Sequence, residues 1–124
     1  MISESKKKDA APTFSESEAE FLAENFLGRV ATVSLSGQPH VVPVGYSFDG
    51  SGITFGGRNL TKSLKFRNLA GNNKVAFVVD VVASANPWKV KGVEIRGRAE
   101  AVQSEEGLTF VRVVPEKVRS WGLR

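Results

Sequence analysis

The sequence contains no cysteine and a single histidine, His40. The lack of cysteine excludes disulfides, catalytic thiols and cysteine-ligated metals. A Ser-His-Asp triad would have to use His40, and no serine lies in a G-x-S-x-G motif. Clustered His, Asp and Glu ligands are also missing, so no metal site is predicted. If the chain is an enzyme, a bound cofactor must therefore supply the chemistry.

Long apolar runs are missing as well, since none approaches the roughly 18 residues that a membrane span needs. The first residues, MISESKKKDAAPTF, have no apolar centre and do not resemble a signal peptide. We therefore expect a cytoplasmic protein with no membrane partner. Residues 1–13, which include Lys6, Lys7 and Lys8, are predicted to form a flexible tail ahead of one domain over residues 14–124.

The composition is that of a globular chain, with 41% hydrophobic and 24% charged residues in 124. The net charge of +4 and the pI of about 9.6 favour an anionic partner. An excess of this size does not distinguish a nucleotide from a nucleic acid or an acidic surface.

Asp and Glu are absent between Ser51 and Val79, yet this stretch carries five cations. They are Arg58, Lys62, Lys65, Arg67 and Lys74. Arg58, Lys62 and Lys65 gather at the start of a predicted helix, where free amides and the helix dipole favour an anion. An arginine fork and two ammonium groups would complete a phosphate clamp. The alternative is a solvated basic helix face, although like charges at these spacings repel each other mildly.

The local pattern around these cations is a strand followed by a helix. Residues 53–55 form a short apolar run that ends at the pair Gly56-Gly57. The helix is predicted over residues 60–70, with either Asn59 or Thr61 as its N-cap. The glycine pair would let a ligand approach the backbone closely.

Alternating apolar residues predict about six strands, which favours an all-β barrel or sandwich with short helices. The predicted elements are a helix over 15–26 with a Ser15–Glu18 capping box, strands over 29–35, 39–49, 53–55, 74–82 and 93–101, a loop over 84–88, an ambiguous segment over 107–114 and a closing strand over 115–122. Pro43 cannot donate to a sheet ladder, so it marks an edge or a bulge. Residues 74–82 are apolar on both faces, which predicts burial on both sides or against a second subunit.

The order of four segments resembles the pyridoxamine 5'-phosphate oxidase-like superfamily of flavin-binding split barrels. The segments are VATVSLSGQPHVVPVGYSF, ITFGGRNLTKSLKFRNLAGNNKVAFVVD, VEIRGRAE and VPEKVRSWGL. Within that superfamily the chain is most similar to the small deazaflavin-dependent oxidoreductases, which use coenzyme F-420. The resemblance implies a mainly β, antiparallel, six-stranded split barrel of Greek-key type, with two or three short helices. It also implies a homodimer with cofactors between the subunits.

The resemblance further implies the site residues. Arg58, Lys62 and Lys65 would hold the cofactor phosphate, helped by Asn59, Thr61 and Ser63. The ring would lie along the strand that carries His40, Val42, Pro43, Val44 and Gly45, and its border would be formed by Thr54, Phe55, Gly56 and Gly57. Trp88 and Trp121 would approach from the partner subunit, or else simply pack in the core or the interface. From the residues alone, His40 is interpreted as structural.

Three functions remain open at this point. The first is an oxidoreductase that transfers hydride between F-420, or alternatively FMN, and a small organic substrate. The second is a non-catalytic protein that binds a flavin, a deazaflavin or a tetrapyrrole. The third, a nucleic-acid-binding barrel, lacks a stacking platform of aromatic residues, so we expect no nucleic-acid partner. True pyridoxamine-phosphate oxidases have a histidine in a substrate-binding segment near the C-terminus. This chain has no histidine after His40, so vitamin B6 synthesis is not expected.

Overall fold

A computed structural model describes residues 12–57 and 59–124. Arg58 and the lysines of residues 6–8 lie outside these ranges. In chain order the elements are α1 (Glu16–Glu24), β1 (Leu27–Val33), β2 (Pro39–Phe48), β3 (Ile53–Phe55), a 3₁₀ turn (Leu60–Lys62), α2 (Leu64–Gly71), β4 (Lys74–Ala85), β5 (Trp88–Gln103) and β6 (Thr109–Trp121).

The six strands close into an antiparallel barrel in the order β1-β2-β3-β6-β5-β4. Every pairing is antiparallel, and the short β3 joins β2 to β6. The inward side chains form one apolar core that includes Val30, Ile53, Phe55, Phe77 and Val93. The predicted fold class is confirmed, and closure leaves the sheet without a free edge along the barrel wall.

α1 packs near the barrel end at which β2 finishes. Ser15 and Glu18 form the predicted capping box: the Ser15 hydroxyl accepts from the Glu18 amide and the Glu18 carboxylate accepts from the Ser15 amide. Phe21 and Leu22 are buried in the core. The Tyr46 hydroxyl donates to the Leu22 carbonyl at 2.7 Å, and burial raises the pKa of Tyr46 to about 12. α1 is therefore fixed to the barrel by both packing and a buried hydrogen bond.

The second helix begins later than predicted. The predicted span 60–70 divides into the 3₁₀ turn and α2, with extended backbone at Ser63 between them. The N-cap of α2 is Ser63, whose hydroxyl accepts from the Phe66 amide, so the choice of Asn59 or Thr61 was wrong for this helix. Asn59 instead precedes the 3₁₀ turn in a left-handed conformation with φ 56°.

β4 and β5 form a long hairpin, which corrects the predicted loop over residues 84–88. β4 continues to Ala85, which pairs with Trp88 across a two-residue turn at Asn86-Pro87. Only Asn86 and Pro87 lie in the turn, and strand pairing continues on both sides of them. The ambiguous residues 107–114 and the predicted strand over 115–122 belong mostly to β6, which has a register shift opposite Gly97.

The two faces of β4 differ in their burial. Val75, Phe77 and Val79 point into the core and are at most 5% exposed. The outward Ala76 and Val78 are only partly covered within this chain. Of the two alternatives for this strand, burial on both sides within one chain is therefore excluded, and burial against a second subunit stays a prediction.

Candidate functional site

Most of the predicted site residues lie at one end of the barrel. The β1–β2 turn, the segment after β3, the start of α2 and the β5–β6 turn all lie at this end, because β1, β3 and β5 run towards it. α2 packs on β1, and the Ala99 amide donates to the Asn73 carbonyl just after α2. The opposite end is the one that α1 covers.

Two lysines flank the N-cap of α2. Lys62 ends the 3₁₀ turn and is exposed, whereas Lys65 lies in the first turn of α2 and is half-buried. Because extended backbone at Ser63 separates the 3₁₀ turn from α2, the two lysines do not lie on one continuous helix face. They still lie close along the chain on either side of a helix start whose amides favour an anion.

Hydroxyl and amide groups near these lysines have different availability. The Ser63 hydroxyl donates to the Leu60 carbonyl at 2.6 Å while it caps α2, so both of its roles are already filled. Asn59 and Thr61 are exposed on the 3₁₀ turn. These two side chains can therefore reach a ligand more readily than Ser63 can.

Gly56 and Gly57 have different surroundings. A Cβ atom on Gly56 would lie 2.7 Å from Cδ1 of Phe110, because that ring covers the glycine. Gly57 has no described atom within 4 Å of such a Cβ position, and its φ of 135° is in the region that favours glycine. Close ligand approach is therefore open at Gly57, whereas the Phe110 ring already occupies the space at Gly56.

A cleft of about 440 Å³ separates the segment after β3 from the β5–β6 turn, and we call it the turn cleft. Its described lining residues are Gly57, Asn59, Leu60, Thr61, Gly107, Leu108, Thr109 and Phe110. All of them are uncharged, and Leu108 is 59% exposed at the rim. The volume lies in the range of small-molecule sites.

The predicted ring-binding residues of β2 alternate between two faces. Val44 is buried in the core, and Val42 is partly buried against it. Pro43 and Gly45 are exposed on the outer face of the barrel. A Cβ atom on Gly45 would make only an ordinary 3.7 Å contact with the Phe26 carbonyl, so a ligand can approach this outer face closely.

The two β3 residues of the predicted site, Thr54 and Phe55, lie on opposite faces of the strand. Phe55 is 1% exposed and stacks on Phe77 in the core, so its side chain is not available to a ligand. Thr54 is half-buried on the outer face, between Ser47 of β2 and Arg112 of β6.

His40 lies beside a buried polar pair. It faces Thr32 across the β1–β2 ladder, and the Thr32 hydroxyl accepts from the Asn68 side-chain amide at 3.0 Å. The Nδ1 atom of His40 is buried and has no hydrogen-bond partner among residues 12–57 and 59–124. The pair was not foreseen, because Thr32 and Asn68 are 36 positions apart.

Trp88 and Trp121 lie towards the opposite barrel end. Trp88 is 68% exposed at the tip of the β4–β5 hairpin. At about 3.3 Å per residue, this tip lies roughly 36 Å along β4 from Lys74. Trp121 pairs with Gly92, and its ring fills the space where a side chain would stand. Within one chain neither tryptophan joins the cluster around α2.

Residues 12–57 and 59–124 contain neither a metal-binding cluster nor a membrane-spanning helix. No group of three or more His, Asp or Glu side chains there could hold a metal ion. Among the same residues, no helix combines the length and the apolarity that a membrane crossing requires.

Comparison with known proteins assigns this barrel to a protein family. Residues 14–122 match the family described as pyridoxamine 5'-phosphate oxidase. The chain belongs to this family.

Individual proteins of known sequence or structure are also similar to this chain. Over 119 residues the chain is 36% identical to a 5a,11a-dehydrotetracycline/5a,11a-dehydrooxytetracycline reductase of Streptomyces rimosus. The aligned region covers 89% of this chain and 84% of that protein. A solved structure named F420 reductase matches this chain with a TM-score of 0.62 at 26% identity. The match covers 81% of this chain and 94% of the F420 reductase chain. A conserved hypothetical protein of Mycobacterium tuberculosis shares the fold, with a TM-score of 0.74 at 24% identity over 91% of this chain and 88% of its own. The family and the named reductase support an oxidoreductase class.

Proposed function

We propose that this chain is an oxidoreductase that transfers hydride between a phosphate-bearing tricyclic cofactor and a small organic substrate. The preferred cofactor is the deazaflavin F-420, with FMN as the alternative. The observation that carries the proposal is the pair Lys62 and Lys65 on either side of the α2 start, in a stretch without acidic residues. The similarity to a structure named F420 reductase supports the preference for the deazaflavin.

The residues at the α2 start fit a phosphate. Lys62 and Lys65 supply ammonium groups, and the first amides of α2 point out of the helix end. Asn59 and Thr61 add exposed donors on the preceding turn. Arg58 is assigned to the same phosphate by the family resemblance, although its position lies outside the described residues. The Ser63 hydroxyl is better assigned to holding the turn in shape, since it both donates to Leu60 and caps α2.

The ring of the cofactor fits the outer face of β2. Pro43 leaves no amide on this strand position, and Gly45 and Gly57 leave room for a flat group against the backbone. When bound, the cofactor would supply the hydride-transferring ring, and the chain would bind, orient and shield it. This surface would be supported from the core by Val42, Val44 and Phe55. Gly56 would support it indirectly, because the Phe110 ring packs over that glycine.

A homodimer with the cofactor at its interface is part of the proposal. The outer face of β2, β1 and β4 is mostly apolar around the exposed Arg29–Asp80 ion pair, and the strand register aligns there Pro39, Val41, Pro43, Leu27, Ala31, Val33, Ala76 and Val78. Val41 and Leu27 are 62% and 61% exposed. A second copy would bury these side chains, and its projecting β4–β5 hairpin could bring Trp88 towards the first copy's site.

The substrate class follows from the reductase relative. That protein is named for the reduction of two dehydrotetracyclines, so polycyclic compounds with a reducible double bond are the first acceptors to test. Reduction of such an acceptor also needs a proton. His40 is the one histidine in the sequence, but its unpartnered Nδ1 atom is buried, so we assign the proton donor to no residue.

The direct test is a titration of the purified protein with F-420 and with FMN, followed by turnover of the reduced form on an acceptor panel. The proposal expects saturable F-420 binding and oxidation of reduced cofactor by at least one unsaturated acceptor. Binding without turnover on any acceptor would favour a non-catalytic carrier instead. Micromolar FMN binding without F-420 binding would overturn the preference for the deazaflavin.

A further inference from the structure

We propose that Arg29 belongs to the catalytic site, where its guanidinium binds a carbonyl oxygen that gains negative charge during hydride transfer, and that Asp80 holds the guanidinium in place. The inference rests on the proposed function, because it takes the ring of the cofactor to lie on the outer face of β2. It assigns a role to an ion pair to which neither the family resemblance nor the proposed function gives one.

Arg29 lies directly beside the proposed ring surface. It points outward from β1, since the next residue, Val30, is fully buried in the core. The strand register places Arg29 opposite Pro43 of β2 and opposite Val78 of β4. In the barrel, β2 has β3, which leads to the start of α2, on one side and β1 on the other. Arg29 therefore adjoins the ring surface on the side away from the proposed phosphate site.

Only part of the Arg29 guanidinium is engaged by its acidic neighbour. Nη1 of Arg29 donates to Oδ1 of Asp80. Within residues 12–57 and 59–124, no further hydrogen bond uses Nε or Nη2 of Arg29. The outward side chains around it on β1 and β2, which are Leu27, Ala31 and Val41, are apolar. Since the Arg29 side chain is 47% exposed, its remaining N–H groups are available to a ligand on this face.

The stability of the protein does not account for this ion pair. As an exposed pair in the single chain, Arg29 and Asp80 attract each other only weakly, because solvent screens them. A second copy over this face, as proposed, would remove both groups from water, and two apolar side chains of similar size would serve such an interface at least as well. Recognition of an anionic group gives the pair a purpose that neither structural role supplies.

Hydride transfer creates negative charge on oxygen. When a hydride adds to an α,β-unsaturated ketone, a C–H bond forms at the β-carbon and the π electrons of the C=C bond move to the carbonyl oxygen. The hydride and its electron pair come from the reduced cofactor, which is thereby oxidised, and a proton from solvent completes the reduction at the α-carbon. Negative charge also gathers on the pyrimidine carbonyl of a flavin-type ring in its reduced state. A guanidinium stabilises either oxygen through its fixed charge and its N–H donors.

The first arm of the test measures cofactor binding without an acceptor. Oxidised and reduced F-420 are titrated separately into wild type, Arg29→Gln, Arg29→Lys and Asp80→Asn, and FMN is titrated in the same two states. If the ring supplies the oxygen, Arg29→Gln should weaken binding of the reduced form about tenfold relative to the oxidised form. Such a change lowers the two-electron midpoint potential of the bound cofactor by about 30 mV. Arg29→Lys keeps the charge and should recover part of the loss.

The second arm measures oxidation of the reduced cofactor by cyclohexenone, a small cyclic enone. If the acceptor supplies the oxygen, Arg29→Gln should leave both cofactor affinities unchanged and should lower kcat and kcat/KM equally, by about tenfold, because the charge develops only in the transition state. Asp80→Asn should give a smaller loss in whichever arm responds, since the guanidinium remains but is held less firmly. If wild type does not reduce the enone, the first arm alone decides.

Arg96→Gln is the matched control, because Arg96 is an outward arginine paired with Glu94 on β5, across the barrel from β2. Thermal unfolding shows which variants are folded, and Asp80→Asn and Arg29→Lys carry the comparison if Arg29→Gln is not. Wild-type values for Arg29→Gln in both arms, or an equal effect of Arg96→Gln, would overturn the inference while the cofactor assignment stands. Failure of wild type to bind either cofactor in either state would overturn the proposed function and this inference with it.

Discussion

The ring of Phe110 covers Gly56, so that a Cβ atom on Gly56 would lie 2.7 Å from Cδ1 of the ring. The two residues face each other across the β3–β6 pairing, one position beyond Phe55 and Val111. The contact seals the barrel wall beside the turn cleft. It also shows why the two glycines after β3 have different roles, since Gly57 remains open to a ligand.

Gly56→Ala should lower the free energy of unfolding by about 1–3 kcal/mol, because the new methyl group must displace an aromatic ring. In a Phe110→Ala background the same change should cost much less, since the clash is gone. Denaturant unfolding of the two single variants and the double variant measures this coupling. Simple additivity of the two losses would contradict the contact.

Asp49→Asn should destabilise the β2–β3 turn by about 1 kcal/mol at pH 7, a modest value because the Asp49 side chain is 56% exposed. Arg112 donates to the Asp49 carboxylate at 2.7 Å, and this bond, with those from Ser51 and Gly52, holds the pKa of Asp49 well below its ordinary 3.8. A carboxylate with a lowered folded-state pKa stabilises the fold above the unfolded value of 3.8 and loses that contribution as pH falls below it.

The check on Asp49 is denaturant unfolding of wild type and variant across a pH series. The difference between them should be constant above about pH 5 and should shrink as the pH falls below about 4. Glu24→Gln, a neutralisation at an exposed position of α1, is the control. A difference that does not change between pH 7 and strongly acidic conditions would show that the charge of Asp49 is not its source.

Tyr46 should ionise with a midpoint near 12 in the folded protein and near its ordinary value of 10.0 in denaturant. Because burial raises this pKa, the contribution to stability is present below pH 10 and is lost as pH rises from 10 towards 12. Tyr46 is the only tyrosine, so the near-ultraviolet absorbance change on titration reports it alone. A folded-state midpoint at the ordinary value would contradict its burial against α1.

The corresponding substitution tests the bond to α1. Tyr46→Phe should cost about 1 kcal/mol, since it leaves the Leu22 carbonyl without its buried donor. Thermal unfolding measures this loss, and a neutral result would mean that the hydrogen bond contributes little.

Val41→Asp should dissociate the proposed homodimer, because it places a charge without a partner opposite Ala31 in the mostly apolar outer face of β1 and β2. We expect the dissociation constant to rise by at least about a hundredfold. Analytical ultracentrifugation of wild type, Val41→Asp and the control Gln103→Asp, which adds the same charge at an exposed position at the end of β5, measures the change. A monomeric wild type would rule out this arrangement of the site.

Much of the barrel can be read from the sequence because its signals are local. Strand alternation in residues 39–48 and the Ser15–Glu18 capping box depend on near neighbours, and both were predicted correctly. The predicted start of α2 was wrong because Asn59, Thr61 and Ser63 are all residue types that cap helices well. In the structure the chain first forms the 3₁₀ turn, with Leu60 buried in the core, before Ser63 caps the helix.

The features of the site that were missed are non-local. The Phe110 ring over Gly56, the Asn68–Thr32 hydrogen bond and the turn cleft each join segments that are far apart in sequence. One signal could have indicated the β5–β6 turn: Ser104 and Gly107 repeat the spacing of Ser34 and Gly37. The pattern predicts a turn of the same form but not its position beside the 3₁₀ turn.

The proposed function requires that the start of α2 binds the phosphate of a tricyclic cofactor. The most direct measurement is a fluorescence titration of F-420 into wild type, Lys62→Ala, Lys65→Ala, Arg58→Ala and the control Lys117→Ala, an exposed lysine of β6. We predict saturable wild-type binding, a loss of about tenfold in each of the first three variants with unchanged thermal unfolding, and no loss in Lys117→Ala. Wild-type affinity in all three site variants would contradict the account.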